Sequence, residues 1–472
     1  MATPGACAER LERRSLVPWV LPTYTRGTGA ELTFRSRWTG RVRTALDMSQ
    51  NAGCCIFGHH ASPTLEALEL TLRENVPLRL PLARDPAASS LSAQLASLAG
   101  PAPGGAPYEC LLGMHSGAEA LDLALALART APREGGSLAD AKPARLQLVL
   151  LEGSFHGNCA RAAFSASAVF RGGPHAASLV EFDARVVRPD ASDAEVEAAF
   201  AAHDAGETAC LAVLVEACQH HAELRELRAH TAAALASCAA RRGVPLIADE
   251  IWSGVYRTGR FLGIEATPAL RPQMVVLSKG LSAGIVKHAA VLVDPAIFPR
   301  SDGAVARPTP AAPCALCCAL VGACLRAHPP ADVLTRARSI ADTLARLTAE
   351  RADGRRTLLG TSPLLLGPFC NGYCAEFEIG ATVDMPGWAA ALAVGLSWLH
   401  MIWAHGVVLL VRPLRGPRRF HAELTLGVTE DELAALVTAL VSAARLAGAL
   451  RLLLAPLIVA VRMIEIATGR TR

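Results

Sequence analysis

The sequence predicts an α/β protein, with a large domain on a mainly parallel sheet and a smaller α+β domain. Two observations predict it. Between about residues 90 and 300, short apolar runs alternate with helix-length segments, the pattern of parallel strands joined by crossover helices. From residue 331 to 350 a long helical pattern opens a region where strands and helices mix without that alternation. The size agrees: 472 residues exceed one ordinary domain, and 51% apolar against 19% charged residues provide a sizeable core.

The elements follow in order. Residues 91–99 are helical. The Gly- and Pro-rich linker 100–107 separates them from a strand at 108–114. Alanine and leucine, the strongest helix formers, fill a helix at 118–129. Residues 146–151, 211–216 and 244–248 read as buried strands, with a crossover helix at 224–242 between the last two. Residues 275–277 and 289–293 complete the sheet, and a second linker lies at 308–313. The greasy segment 388–411 contains His400, His405 and Gly406, so it reads as a helix ending near Gly406 and then a strand at 407–411. These patterns divide the chain into 1–69, the N-terminal part of the small domain; 70–320, the large domain; 321–445, the C-terminal part of the small domain; and 446–472, an extra apolar and basic tail. The longest uncharged run of that tail, 452–461, is too short to span a bilayer. A docking helix is expected there in preference to membrane contact.

Charge and cysteines exclude several classes. With 46 basic and 42 acidic residues the formal charge is only +4, which gives no electrostatic case for nucleic acid. The 14 cysteines are scattered, as in a reducing compartment, so a cytoplasmic location is expected, with an organelle as the alternative. The acids Glu9 and Glu12 among Arg10, Arg13 and Arg14 are unlike a transit peptide. Cys314 and Cys317 form a CxxC pair with no second pair at zinc spacing. They read as small apolar residues of a helix, and no metal is expected.

The chemistry concentrates at strand ends. Pro245-Leu246-Ile247-Ala248 leads to Asp249-Glu250-Ile251, and Val275-Val276-Leu277-Ser278 leads to Lys279, 30 positions after Asp249. An acid and an amine at the carboxyl ends of neighbouring strands suit pyridoxal 5'-phosphate (PLP). Its ring nitrogen needs a carboxylate to stay protonated, and its aldehyde needs a lysine to form a Schiff base. Lysine is sparse in this chain, and Lys287 is the nearby competitor. Ser116, Gly117 and Ala118 follow the 108–114 strand and open a helix, so their N–H groups suit a phosphate. An ordinary cap, with Ser116 and Glu119 as a capping box, is the alternative. Phe155 and His156 follow the 146–151 strand, where an aromatic ring suits stacking on a heterocycle. The alternative is a turn with an incidental aromatic.

Taken together, these segments resemble the class III (subgroup II) PLP-dependent aminotransferases, of the aspartate aminotransferase-like fold type I, over roughly residues 15 to 445. Pro22-Thr23-Tyr24 and Gly58-His59-His60-Ala61-Ser62-Pro63 are similar to the family's opening segment. Glu216-Ala217-Cys218-Gln219 stands where a Glu-Pro-Val-Gln run is usual. Asp249-Glu250-Ile251 with Arg257-Thr258-Gly259, then Lys279, is the most specific part.

The resemblance implies transfer of an amino group from an amino acid or amine donor to an oxo-acid or aldehyde acceptor. An aminomutase, racemase or decarboxylase of the same fold, or a non-catalytic dimeric descendant, are the alternatives. It implies that Lys279 is the catalytic amine and Asp249 the partner of the ring nitrogen, with Phe155 and Ile251 on the two ring faces. His156 and Glu216 would complete the cofactor site, and Ser116, Gly117 and Ala118 would hold the phosphate. Thr309 would reach the phosphate of the neighbouring subunit of a homodimer with shared active sites. Tyr24, Trp252 and Arg419 would meet substrate. The sequence departs from the family at Ala118, where threonine is usual, at Trp252, where glutamine is usual, at His220 and His221, and around Arg418-Arg419, which lack the usual prolines.

Overall fold

The structure is a computed structural model that describes residues 23–35, 39–76, 85–133, 137–138, 145–157, 182–219, 224–297, 312–352, 365–382, 385–411 and 419–467. It opens with an antiparallel meander, β1 (Thr23–Thr28), β2 (Glu31–Arg35) and β3 (Val42–Asp47). These strands do not stand out in the sequence, because most of their residues are polar and solvent-facing. Helix α1 (Ser62–Arg73) carries Pro63 in its first turn, where a missing N–H costs nothing. Helix α2 (Pro86–Ala99) is capped by Asp85, which accepts from the N–H groups of Ala87 and Ala88 at 2.8 and 3.2 Å.

The central sheet has seven strands: β4 (Glu109–Met114), β5 (Leu146–Leu151), β6 (Asp183–Val187), β7 (Ala209–Val215), β10 (Leu246–Glu250), β11 (Met274–Leu277) and β12 (Ala289–Val293). Their spatial order is β4-β12-β11-β10-β7-β5-β6. All pairs are parallel except those of β12, which runs antiparallel to both β11 and β4. Every residue of β10, β11 and β12 is buried, which is why these strands read as continuous apolar runs. The edge strand β6 is half-exposed and lacks that signature. Helix α3 (Gly117–Thr130) follows β4, and α4 (Ala229–Arg241) crosses from β7 to β10. That crossover helix begins at Ala229 rather than at residue 224. Before it, β8 (Cys218–Gln219) and β9 (Arg225–Glu226) form a two-residue ladder.

Beyond the sheet come α5 (Ala315–Ala327) and α6 (Pro330–Ala352). Cys314 is the N-cap of α5 and Cys317 lies within it, and no cluster of metal ligands occurs among the described residues. A second antiparallel sheet, in the order β13-β14-β17-β16, comprises β13 (Leu365–Asn371), β14 (Cys374–Ile379), β16 (Leu410–Val411) and β17 (Arg419–Glu423). Between β14 and β16, α7 (Gly387–His400) continues through a π-helical turn (Met401–His405). It ends at Gly406, whose φ of 64° suits glycine. The short β15 (Val407–Val408) then pairs in parallel with β3, Val407 beside Leu46 and Val408 beside Asp47.

The last element, α8 (Glu430–Ala467), is one helix of 38 residues. Its first half is core: Leu433, Leu436, Val437 and Leu440 are buried. The expectation of a docked tail holds only in part. Leu450, Leu454 and Ile458 pack on the core, whereas Leu452, Leu453, Leu457, Val459 and Met463 face solvent. Pro456 does not end the helix; the carbonyl left without its donor is that of the solvent-facing Leu452.

Candidate active site

The site lies outside the carboxyl ends of the parallel strands, where open α/β sheets bind ligands. β10 and β11 are paired with Asp249 beside Val276 and Glu250 beside Leu277, so Lys279 follows two residues beyond the ladder. Asp249 is buried. One of its oxygens takes the N–H of Ile251 at 3.0 Å, and the other meets His156 Nδ1 at 2.6 Å. His156, also buried, reaches it from the turn after β5. A carboxylate only accepts, so the Nδ1–H of His156 donates to it and orients it. From the end of β7, Glu216 accepts the Phe155 N–H at 3.1 Å. Burial pushes the Glu216 carboxyl up to about 7. The field of Asp249 adds to this, and those of His156 and Lys279 oppose it. Those fields place all four groups in one neighbourhood.

Glu250 does different work. Its carboxylate accepts from Ser253 Oγ at 2.6 Å, Gly263 N–H at 2.9 Å and Ile264 N–H at 2.7 Å, tying down the loop after β10; burial pushes it too up to about 7. That loop is strained: Val255 and Tyr256 adopt φ of 52° and 70°. Lys279 itself sits at φ 42°, at the start of a 3-10 turn (Lys279–Ser282). A Cβ on Gly280 would lie 3.0 Å from Val255 Cβ, so the lysine turn is packed on the strained loop. Non-glycine residues held at positive φ concentrate where function fixes the backbone. The same turn touches the N-terminal segment, Ser282 Oγ donating to the Cys54 carbonyl at 3.2 Å. Burial raises the Cys54 thiol, and Lys279 pulls it back.

The turn after β4 satisfies both readings of its sequence. Ser116 caps α3 by accepting the Glu119 N–H at 3.2 Å, and Glu119 takes the N–H groups of His115 and Ser116 at 2.7 and 3.1 Å. Gly117 and Ala118 carry the next first-turn N–H groups at the positive end of the helix. A Cβ at Gly117 would lie 2.7 Å from Ile251 Cδ1, so this turn presses against the residue two beyond Asp249. Only glycine fits, and the contact brings the candidate phosphate cradle and the candidate ring site together. A buried acid oriented by a histidine, an amine one strand over and a helix N-terminus against the same isoleucine form a donor set that fits PLP.

The residues expected at the substrate divide. Trp252 is buried beside the site, its indole N–H donating to Glu423 Oε1 at 3.0 Å and its edge against Gly53. Tyr24 lies on β1, edge-on to Phe34 at 5.8 Å. Burial and then the charge of Asp47 raise its hydroxyl. Arg419 lies at the start of β17, its guanidinium 3.2 Å from Glu378, 3.7 Å from Glu376 and 5.1 Å above the Phe369 ring. Thr309, His220 and His221 lie outside the described residues. The structure adds a buried polar row that the motifs do not reveal. His421 meets Glu376 at 3.1 Å and Glu423 at 3.3 Å, and its ring is 6.0 Å from that of Trp252. The alternation Arg419-Phe420-His421-Ala422-Glu423, polar on one face of a strand, is the signal for it.

Comparison with known proteins accords with this geometry. The family profile described as aminotransferase class-III matches residues 23–353. An Aeropyrum pernix protein named for LysW-aminoadipate semialdehyde/glutamate semialdehyde transaminase activity is 26% identical over 332 residues, 70% of this chain and 78% of that protein. The acetylornithine aminotransferase of Brucella melitensis biotype 1 is 30% identical over 170 residues, 36% of this chain and 38% of that protein. The fold matches a Bacillus anthracis aminotransferase with a TM-score of 0.73 at 17% identity, covering 94% of this chain and 100% of that one. A transaminase from the marine bacterium Virgibacillus gives 0.72 at 17% identity, covering 94% and 99%. The chain belongs to the class III aminotransferase family, the PLP-dependent transaminases of fold type I.

Proposed function

We propose that Lys279, Asp249, His156 and the Ser116–Ala118 turn are the working parts of this transaminase. The observation that carries the assignment is the convergence of Asp249, His156, Glu216 and Lys279 at the ends of adjacent strands. When bound, PLP supplies an electron sink that lets hydrogen leave the amino-bearing carbon of a small-molecule donor. Asp249, steadied by His156 and by the Ile251 N–H, offers its carboxylate to the ring nitrogen. Phe155 and Ile251 would cover the two ring faces. The N–H groups of Gly117 and Ala118, with the Ser116 hydroxyl, hold the phosphate. Lys279 would hold the aldehyde carbon and, once displaced there by the donor's amine, would have a free amine to move a proton at the donor carbon, its position fixed by the 3-10 turn packed on Val255.

In this reading Trp252 and the His421 row wall the substrate side. Arg419 takes a substrate carboxylate by exchanging Glu378 for it, and Tyr24 closes the opening from β1. Two copies share their sites, with Thr309 reaching across. No disulfide joins the twelve described cysteines, which supports a reducing, cytoplasmic setting. Lys279→Ala is the test. The variant should lose the visible absorbance of bound PLP and at least about a thousandfold of amino exchange between donor and acceptor. A variant that keeps both removes the assignment.

A further inference from the structure

The second half of α8 exposes a face that a water-soluble helix ordinarily hides. At about 100° per residue, Leu452, Leu453, Leu457, Val459 and Met463 occupy an arc of roughly 160°, and all five are exposed. The opposite side, Leu450, Leu454 and Ile458, rests on the core. This stretch is therefore apolar on its outward side as well as on its core side. Helix α7 packs along α8, Ser397 Oγ donating to the Ala443 carbonyl at 3.1 Å and His400 Nε2 lying 2.9 Å from Ser442 Oγ. It adds a second exposed stripe, Trp388, Leu392 and Leu396, at a four-residue period. Exposed apolar stripes on two helices packed together mark a contact with something other than water.

Charge selects the occupant. From residue 445 onward the sequence has five arginines (445, 451, 462, 470 and 472) against the single acid Glu465, and they bracket the apolar run at both ends. A second copy fits poorly. It would bring to the contact the same excess of arginines and no complementary charge. A bilayer with anionic headgroups meets both needs, apolar boundary and negative charge. Spanning is excluded, because the first half of α8 is core and the run Leu452 to Val461 is about 15 Å long, half of a roughly 30 Å hydrocarbon layer. We propose that the outer half of α8 lies in the surface of an anionic membrane, tethering this enzyme peripherally.

The test is flotation of the full-length protein with phosphatidylcholine vesicles, with and without phosphatidylserine, at low and high salt. Anionic vesicles should bind it at least about tenfold more tightly than neutral ones, and high salt should abolish that preference. Leu453→Asp/Leu457→Asp should lower binding at least about tenfold and leave amino exchange and the thermal midpoint unchanged, since both positions face solvent. Arg451→Gln/Arg462→Gln should lower anionic binding by about 25-fold, at about fivefold per arginine, and spare neutral binding. The proposal fails if the protein floats with neither vesicle, or floats equally well after the leucine substitutions. It also fails if those substitutions abolish self-association in a protein that binds no vesicle, for then a second copy covers the face.

Discussion

Gly117→Ala asks whether the α3 turn and the ring acid serve one cavity. The added Cβ would lie 2.7 Å from Ile251 Cδ1, 2.9 Å from Cγ2 and 3.0 Å from Cγ1. Carbon atoms settle about 3.5–4.0 Å apart, so Ile251 must retreat by roughly 0.8 Å or the turn must open. Gly117 has no left-handed φ, so the cost is steric and not conformational. Overpacking of this kind costs about 1–3 kcal/mol. If Ile251 covers the cofactor ring, its retreat spends that energy on binding, and PLP should bind about 5- to 150-fold more weakly. The assay is titration of apoprotein with PLP, read by visible absorbance, with the thermal midpoint of the apoprotein measured alongside. Ile251→Val in the Gly117→Ala background removes Cδ1, the nearest atom, and should recover much of the affinity. A lowered midpoint with unchanged PLP affinity refutes the reasoning, because the clash would then lie away from the ring.

Glu216→Gln bears on pH. Burial lifts the folded-state Glu216 to about 7 from 4.5, so between those values the folded protein holds a proton that the unfolded chain has released. Stability therefore falls as pH rises through that window and stays reduced above it. The variant should lose part of that slope and be the more stable by up to a few kcal/mol above about pH 7 in urea titrations, while the slope from Glu250 remains. An identical slope in both proteins contradicts this. Arg257→Lys addresses the joint between domains. Arg257 is buried, with Nη1 donating to the carbonyls of Tyr373 at 3.1 Å and Leu424 at 3.0 Å, and Nη2 to that of Gly53 at 3.2 Å. An ammonium cannot reproduce that fork, so the loss should be about 2–4 kcal/mol by chemical denaturation, and a loss below about 1 kcal/mol counts against the joint.

What the sequence made legible follows from burial. β5, β10, β11 and β12 are covered on both faces, so their residues had to be apolar and the runs stand out. β1 to β3 and β6 border solvent and look like loops. Asp249 and Lys279 are legible because each ends such a run. The pairing of His156 with Asp249 needs the strand order β10-β7-β5, which no local pattern contains. Arg419 illustrates register. The ladder sets it opposite Glu378, and cross-strand pairs of opposite charge attract, but a slip of one residue would have turned it to the other face. The tail was legible as a helix, but which of its faces docks was not. Pro456 is a helix breaker only where its missing bond matters, and a solvent-facing carbonyl makes that loss small.

The pairing of β3 with β15 has a consequence for how the chain is born. Arg43 Nη1 donates to the Trp403 carbonyl at 2.8 Å, a contact that closes a loop of 360 residues. At about 5–20 residues per second, a ribosome takes roughly 20–70 s to deliver the second partner after the first. The amino-terminal meander must wait through that interval with one edge open, and its polar, hydrated strands are suited to waiting without aggregating. A polypeptide arrested before residue 403 would leave that edge permanently unmatched, so the quality of each new molecule is decided late in its synthesis.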